Sequence, residues 1–181
     1  IAMEFSHIAA RAGAEEVVVL QRGSGILANF DPDLTALVAE ASESLGITIH
    51  TGAEVCAVER DGDGLRVRFD TEGGRSQICC DMVVHAAGRV PNLDDLDLAA
   101  AGVDHGPRGI KVSAAMRTTN PAIFAAGDCA DSGPNLTPVS AAEGRVAGKN
   151  LLAGKDAREI ALPPIPSVVF TLPPLASVGL S

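Results

Sequence analysis

No stretch of this sequence approaches the roughly 20 apolar residues that a membrane-spanning helix needs. The longest candidate, residues 160–179, is broken by Pro163, Pro164, Pro166, Pro173 and Pro174. The chain opens Ile1-Ala2-Met3-Glu4, without the basic region of a secretory leader. Positive charge is scarce as well. The 14 Lys and Arg stand against 23 Asp and Glu, for a net charge of −9. Phosphate backbones are repelled by that balance, so nucleic acid is not an expected partner, although a small local basic site for a nucleotide phosphate remains compatible with it. The 4 cysteines, Cys56, Cys79, Cys80 and Cys129, form no C-x-x-C pair, so the usual zinc and thioredoxin spacings are missing. A bridge between the neighbours Cys79 and Cys80 would be strained. They read as buried or idle thiols of a reducing cytoplasm, and no metal-ligating set is expected. Apolar residues are not lacking: at 46% they suit a globular fold and exclude disorder. The 181 residues suit one large domain or pieces of two or three.

The order of periodic segments points to an α/β fold. Ile1, Phe5, Ile8, Ala9 and Ala12 fall on one helical face, and Gly13 is a plausible stop. The apolar run Val17-Val18-Val19-Leu20 fits a strand buried on both sides, as in a parallel sheet. Asp31-Pro32 opens a second helix, with the stripe Leu34, Leu37, Val38, Ala41 and Leu45 and a stop at Gly46. Ile47-Thr48-Ile49 follows as a strand. This is the alternation of a doubly wound sheet. Residues 53–60, 65–70 and 76–86 then read as an antiparallel meander, turned at Asp61-Gly62-Asp63-Gly64 and Gly73-Gly74. Met82-Val83-Val84 is expected to run on as a strand into Ala86-Ala87-Gly88-Arg89. Past Pro91-Asn92 the pattern predicts a short helix near 96–101, strands at 109–113 and 122–126, a helix at 139–153, a Pro-rich linker, and a strand at Val168-Val169-Phe170.

Three constellations carry candidate chemistry. In a dinucleotide-binding βαβ unit, small residues let the pyrophosphate approach a helix N-terminus, and the residue that reads the ribose lies about 20 positions later at the end of the second strand. Ala2 fits the last small residue and Gln21 the reading position, with both leading glycines lying outside this chain. An ordinary amphipathic helix reads equally well at this point. Gln21 lacks the carboxylate that would repel a 2′-phosphate, and Arg22 offers a charge-assisted partner for one, unless it is only a solvated arginine. The third constellation is Ile123-Phe124-Ala125-Ala126-Gly127-Asp128, an apolar strand ending in Gly-Asp and followed by a helix that starts after Thr137-Pro138. Glycine admits a close ligand, the Asp carboxylate accepts from a ribitol or ribose hydroxyl, and a helix N-terminus offers N–H donors to an electron-rich ring edge.

Taken in order, Ile1-Ala2-x-Glu4, Ala87-Gly88-Arg89-Val90-Pro91-Asn92, the run from Thr119 to Asp128, Leu136-Thr137-Pro138-Val139, and the run from Pro166 to Leu180 give the chain a family likeness. It resembles the class I pyridine nucleotide–disulfide oxidoreductases, among them glutathione reductase, dihydrolipoamide dehydrogenase and mercuric reductase. The resemblance implies an interior segment with three parts: residues 1–91 as a Rossmann-like, three-layer nicotinamide-binding domain with an antiparallel meander; residues 92–160 as the rear of an FAD-binding domain; and residues 161–181 as the start of a dimer-interface domain. It implies FAD and NADP as cofactors, with NAD possible, a small-molecule or disulfide substrate, and a cytoplasmic homodimer. Ala2 matches the end of the Gly-rich motif, and Glu4 an acid beside the nicotinamide carboxamide. Arg22 matches the first basic residue for the 2′-phosphate, whereas Ala28, at the second such position, is not basic. Gly88 and Arg89 match a strand end along the nicotinamide nucleotide, and Gly127 and Asp128 the ribitol contact. Thr137, Pro138 and Ser140 match the helix start beneath the flavin ring.

The departures bound the reading. The family's C-x-x-x-x-C redox pair and its catalytic His-Glu pair have no counterpart in this chain, so none of its residues is expected to be catalytic. His7, His50, His85 and His105 read as surface or satisfied histidines. Two alternatives stay open: a flavoenzyme of the NADH oxidase or ferredoxin-reductase type without a redox disulfide, and a non-catalytic nucleotide-binding module.

Overall fold

In the computed structural model, which describes residues 1–179, the chain divides into two units: residues 1–87 together with the chain from Pro164 onward, and Gly88–Pro163. Leu180, which closes the last family-like run, lies outside the described residues.

The first unit is built on a βαβ turn. α1 (Ala2–Arg11) leads into β1 (Val17–Gln21), α2 (Pro32–Ser44) crosses over, and β2 (Ile47–Thr51) lies parallel to β1 with Val17 opposite Ile47 and Gln21 opposite Thr51. α2 starts where Asp31-Pro32 places it: the Asp31 carboxylate accepts the N–H of Asp33 at 2.9 Å, satisfying a donor that the helix itself leaves open. β3 (Glu54–Asp61), β4 (Gly64–Thr71) and β5 (Gly74–Cys80) form the antiparallel meander, with a register shift between Val55 and Ala57. Val67 and Phe69 on β4 are buried and Arg68 between them is exposed, the alternation expected of a half-buried strand. Two short strands near the end, β8 (Ser167–Val169) and β9 (Leu175–Ser177), make a hairpin whose Val169 and Leu175 join Met3, Val19, Val38 and Ile47 in one core.

The second unit has a small core of Leu93, Leu98, Val103, Ile110, Ala125 and Ala130. It contains β6 (His105–Gly106), β7 (Gly109–Ile110) and α3 (Thr137–Ala153), which ends at Gly154 in the left-handed conformation. Gly109 at φ 135° lies so close to the next segment that a β-carbon would come within 2.7 Å of the Cys129 carbonyl. That approach lets Ile110 bridge Ala130.

Several expectations are corrected. The stripe of Ile1, Phe5 and Ile8 on α1 is exposed, and the helix buries Met3, Ser6 and His7 instead. On α2, Val38 and Ser42 are buried while Leu34 and Leu37 are exposed. The meander ends at Cys80, and residues 82–87 form no strand. Backbone groups in an extended segment become a strand only against a hydrogen-bonded neighbour, and none is present among the described residues. The helix near 96–101 is a single 3₁₀ turn at Asp94–Leu96 followed by turns. The strand at 109–113 shrinks to Gly109–Ile110, and the one at 122–126 to an isolated bridge between Arg117 and Phe124. Of the reading of the cysteines as buried or idle, burial does not hold: Cys56 and Cys79 are exposed, Cys80 and Cys129 are half-buried, and all four are free thiols among the described residues. No helix among the described residues is long and apolar enough to cross a membrane.

Candidate functional site

In the first unit the candidate residues lie at the start of α1 and the end of β1. α1 begins at Ala2 with no side chain capping it, so its first N–H groups face outward from a positive helix end. Ala2 is exposed and carries only a methyl group. Glu4, in the first turn, accepts the backbone N–H of Phe170 at 3.1 Å through one carboxylate oxygen. That bond holds its carboxyl below the usual glutamate range against the opposing effect of burial. Gln21 ends β1 half-buried. Its carbonyl accepts the Ala53 N–H at 3.0 Å, which ties the strand end to the turn before the meander. Arg22 is exposed and has no carboxylate within salt-bridge distance among the described residues. Ala28, exposed in the loop that follows, brings no charge.

In the second unit Gly127 and Asp128 form a 3₁₀ turn, Gly127–Cys129, immediately in front of α3. Gly127 takes φ 77°, and a β-carbon there would meet the Cβ and Oγ of Ser140 at 3.2 Å. The glycine therefore keeps open the cleft between the turn and the first turn of α3. Ser140 Oγ lies 3.3 Å from one Asp128 oxygen, and Arg89 Nη2 lies 3.3 Å from the other. The structure thus pairs Arg89 with Asp128. Gly88, its neighbour, is exposed in the left-handed region at φ 92°. α3 opens with Leu136 at the cap position, Thr137 and Pro138, and no side chain caps it. Proline at this position costs no hydrogen bond and presets the backbone. Among the described residues no side chain takes up the remaining first-turn donors, which could meet an electron-rich group. A cavity of about 640 Å³ opens nearby, lined by Arg89, Arg108, Asp131, Ser132 and Asn135 among others.

Glu143 was not singled out by the sequence, yet it organises this turn. It is 1% exposed, accepts the Gly127 N–H at 2.7 Å on one oxygen and the Ser132 hydroxyl at 2.7 Å on the other. Its signal was present in the pattern. Val139, Glu143 and Val146 share one face of α3, and a carboxylate on a face that packs inward demands donors. Those donors come from a loop residue and a backbone amide, which periodicity does not identify.

The donors and shape around Gly127 fit a flavin: a carboxylate for a sugar-alcohol hydroxyl, a cleft a methyl group would fill, and an open helix start for a ring edge. The outward N–H groups at α1, with Glu4, Gln21 and Arg22, suit a nicotinamide nucleotide.

Known proteins resemble this chain over most of its length. The family described as pyridine nucleotide-disulphide oxidoreductase matches residues 1–144. The chain is 36% identical to mercuric reductase of Bacillus cereus, over 100% of this chain and 28% of that protein. It is 39% identical to dihydrolipoyl dehydrogenase of Bacillus subtilis, over 91% and 35% respectively. For glutathione reductase of Burkholderia cepacia the figures are 38%, 100% and 39%. Among solved structures it superposes on the HOCl-induced flavoprotein disulfide reductase RclA of Escherichia coli, in its Cu(II) complex, with a TM-score of 0.83, 26% identity, and coverage of 99% of this chain and 40% of that one. LpdA of Mycobacterium tuberculosis gives a TM-score of 0.82 at 28% identity, covering 98% and 38%. The chain thus spans between a quarter and two fifths of the length of these relatives. With a Rossmann-like α/β fold, a Gly-Asp turn before an uncapped helix and matches of this extent, the chain belongs to the pyridine nucleotide-disulphide oxidoreductase family.

Proposed function

We propose that this chain supplies the nicotinamide-nucleotide site and the rear of the flavin site of an FAD-dependent NAD(P)H oxidoreductase, whose acceptor is a disulfide or a similar small molecule. The observation that carries the reading is the Gly127–Asp128 turn, held from behind by buried Glu143 and facing Ser140 at the start of α3. When bound, the flavin would supply the capacity to take a hydride from a reduced nicotinamide. Asp128 would hold a ribitol hydroxyl, and Thr137, Pro138 and Ser140 would present the open start of α3 to the ring. Ala2 would admit the pyrophosphate to the start of α1, and Glu4 would meet the carboxamide. Gln21 and Arg22 would meet the adenosine ribose, with Arg22 favouring a 2′-phosphate and hence NADP over NAD.

Calorimetric titration of the chain with NADPH and NADH tests the nucleotide part. NADPH is expected to bind more tightly, and Arg22→Ala to weaken NADPH by about tenfold, the size of one charge-assisted contact, while leaving NADH unchanged. Equal affinity for the two would refute the role given to Arg22. Binding of neither would move the cofactor role to residues outside this chain. For the flavin part, quenching of FAD fluorescence by the chain should weaken on Asp128→Ala, and indifference to that change would count against the assignment.

A further inference from the structure

Glu4 and His7 stand one turn apart on α1, and both reach the extended backbone that follows β8. The Glu4 carboxylate accepts the N–H of Phe170 at 3.1 Å, and His7 Nδ1 lies 3.2 Å from the N–H of Leu172. An amide N–H can only donate, so Nδ1 must be the unprotonated nitrogen of the ring. The other nitrogen, Nε2, lies 2.9 Å from Ser42 Oγ, and that hydroxyl lies 2.6 Å from the Val38 carbonyl, which can only accept. The hydroxyl proton therefore points to Val38, and Oγ receives Nε2–H. Every hydrogen in the chain of bonds from Leu172 through His7 and Ser42 to Val38 is assigned, and the only ring form compatible with it is the neutral one. A second ring proton on Nδ1 would face the Leu172 N–H head on. The ring is 2% exposed and Ser42 is 0% exposed, so the clash is not relieved by water.

We infer that His7 is a positioning residue: as a neutral imidazole it fixes the Phe170–Leu172 backbone beside Glu4, and its protonation frees that segment and with it the rotamer of Glu4. For its effect on cofactor binding, the inference rests on the reading of Glu4 as the residue that meets the carboxamide. The charged groups on the same helix are Glu4 and Arg11, one turn to either side. α2 presents the Ser42 hydroxyl, and the segment after β8 presents the Leu172 amide. Burial, and to a lesser degree the Arg11 charge, push the imidazole below the usual histidine range. The clasp is therefore intact at neutral pH and opens only on acidification below the usual histidine range.

Amide hydrogen exchange of the full chain, corrected for intrinsic rates, tests this from about pH 7.5 down through the titration of the His7 ring. Protection at Leu172 is expected to fall by about tenfold, the worth of one buried hydrogen bond, with a midpoint matching the titration of the His7 ring followed by NMR. His7→Asn keeps an acceptor oxygen near the position of Nδ1 and takes up no proton. In that variant the loss of protection should disappear. Flat protection at Leu172 in the unmodified chain, or an unchanged pH response in His7→Asn, would overturn the inference whatever the cofactor does. If protection falls as expected while the affinity for NADPH and NADH does not change over the same range, the clasp stands and the role given to Glu4 fails.

Discussion

Replacing Glu143 with alanine should loosen the Gly127–Asp128 turn more than any other single change on α3. The carboxylate makes two short bonds, one to the Gly127 N–H and one to the Ser132 hydroxyl, both at 2.7 Å. Hydrogen bonds to a charged group each contribute about 1.5–3 kcal/mol, so the pair is worth about 3–6 kcal/mol. Alanine removes both acceptors and leaves the Gly127 amide without a partner in a site that is 1% exposed at Glu143. Glutamine behaves differently. Its amide oxygen still accepts the Gly127 N–H, and its NH₂ donates to a Ser132 hydroxyl that is free to turn. The loss there is the charge alone, about 1–2 kcal/mol. Total stabilities of about 5–15 kcal/mol make the alanine change severe and the glutamine change mild. Urea unfolding followed by NMR, read at the amides of residues 127 and 132, measures both. If Glu143→Ala and Glu143→Gln destabilise equally, or if the alanine variant loses less than about 1 kcal/mol, the carboxylate does not organise the turn as argued.

Three further outcomes follow from the same geometry. Asp31→Ala should cost about 1 kcal/mol in thermal or urea unfolding, because the N–H of Asp33 loses its cap; Asp31→Asn should recover most of that loss. Gly109→Ala should cost at least about 1–3 kcal/mol from backbone strain alone, since φ is 135° and the obstructing atoms belong to the backbone of Cys129–Asp131, which no rotamer change can move aside. Glu4 has a folded carboxyl below its unfolded value, so the stability it adds is complete above the unfolded value and is lost as pH falls through the folded one. A melting series between about pH 6 and about pH 3 should show a shallower acid decline in Glu4→Gln, and an unchanged slope would count against the Phe170 contact.

The sequence alone determined the parts of this protein that depend on near neighbours. Asp31-Pro32 starts a helix because the capping carboxylate and the preset proline act within one turn, and Gly154 ends another for a similarly local reason. The meander was legible because its turns are glycine-rich and β4 alternates. The Gly127–Asp128 turn was legible because an apolar run stops there and Thr137-Pro138 restarts the chain as a helix. Tertiary structure decided which side of each helix is buried. On α1 the apolar stripe of Ile1, Phe5 and Ile8 and the mixed stripe of Met3, Ser6 and His7 both have helical spacing. The second is buried because β1, α2 and the hairpin after Pro166 offer it both apolar contacts and hydrogen-bond partners. Residues 82–87 carry strand composition, but a strand exists only where another backbone answers its hydrogen bonds. Glu143 and His7 owe their roles to donors and acceptors 11 to 165 residues away along the chain, and no local pattern records which of those meet in the folded protein.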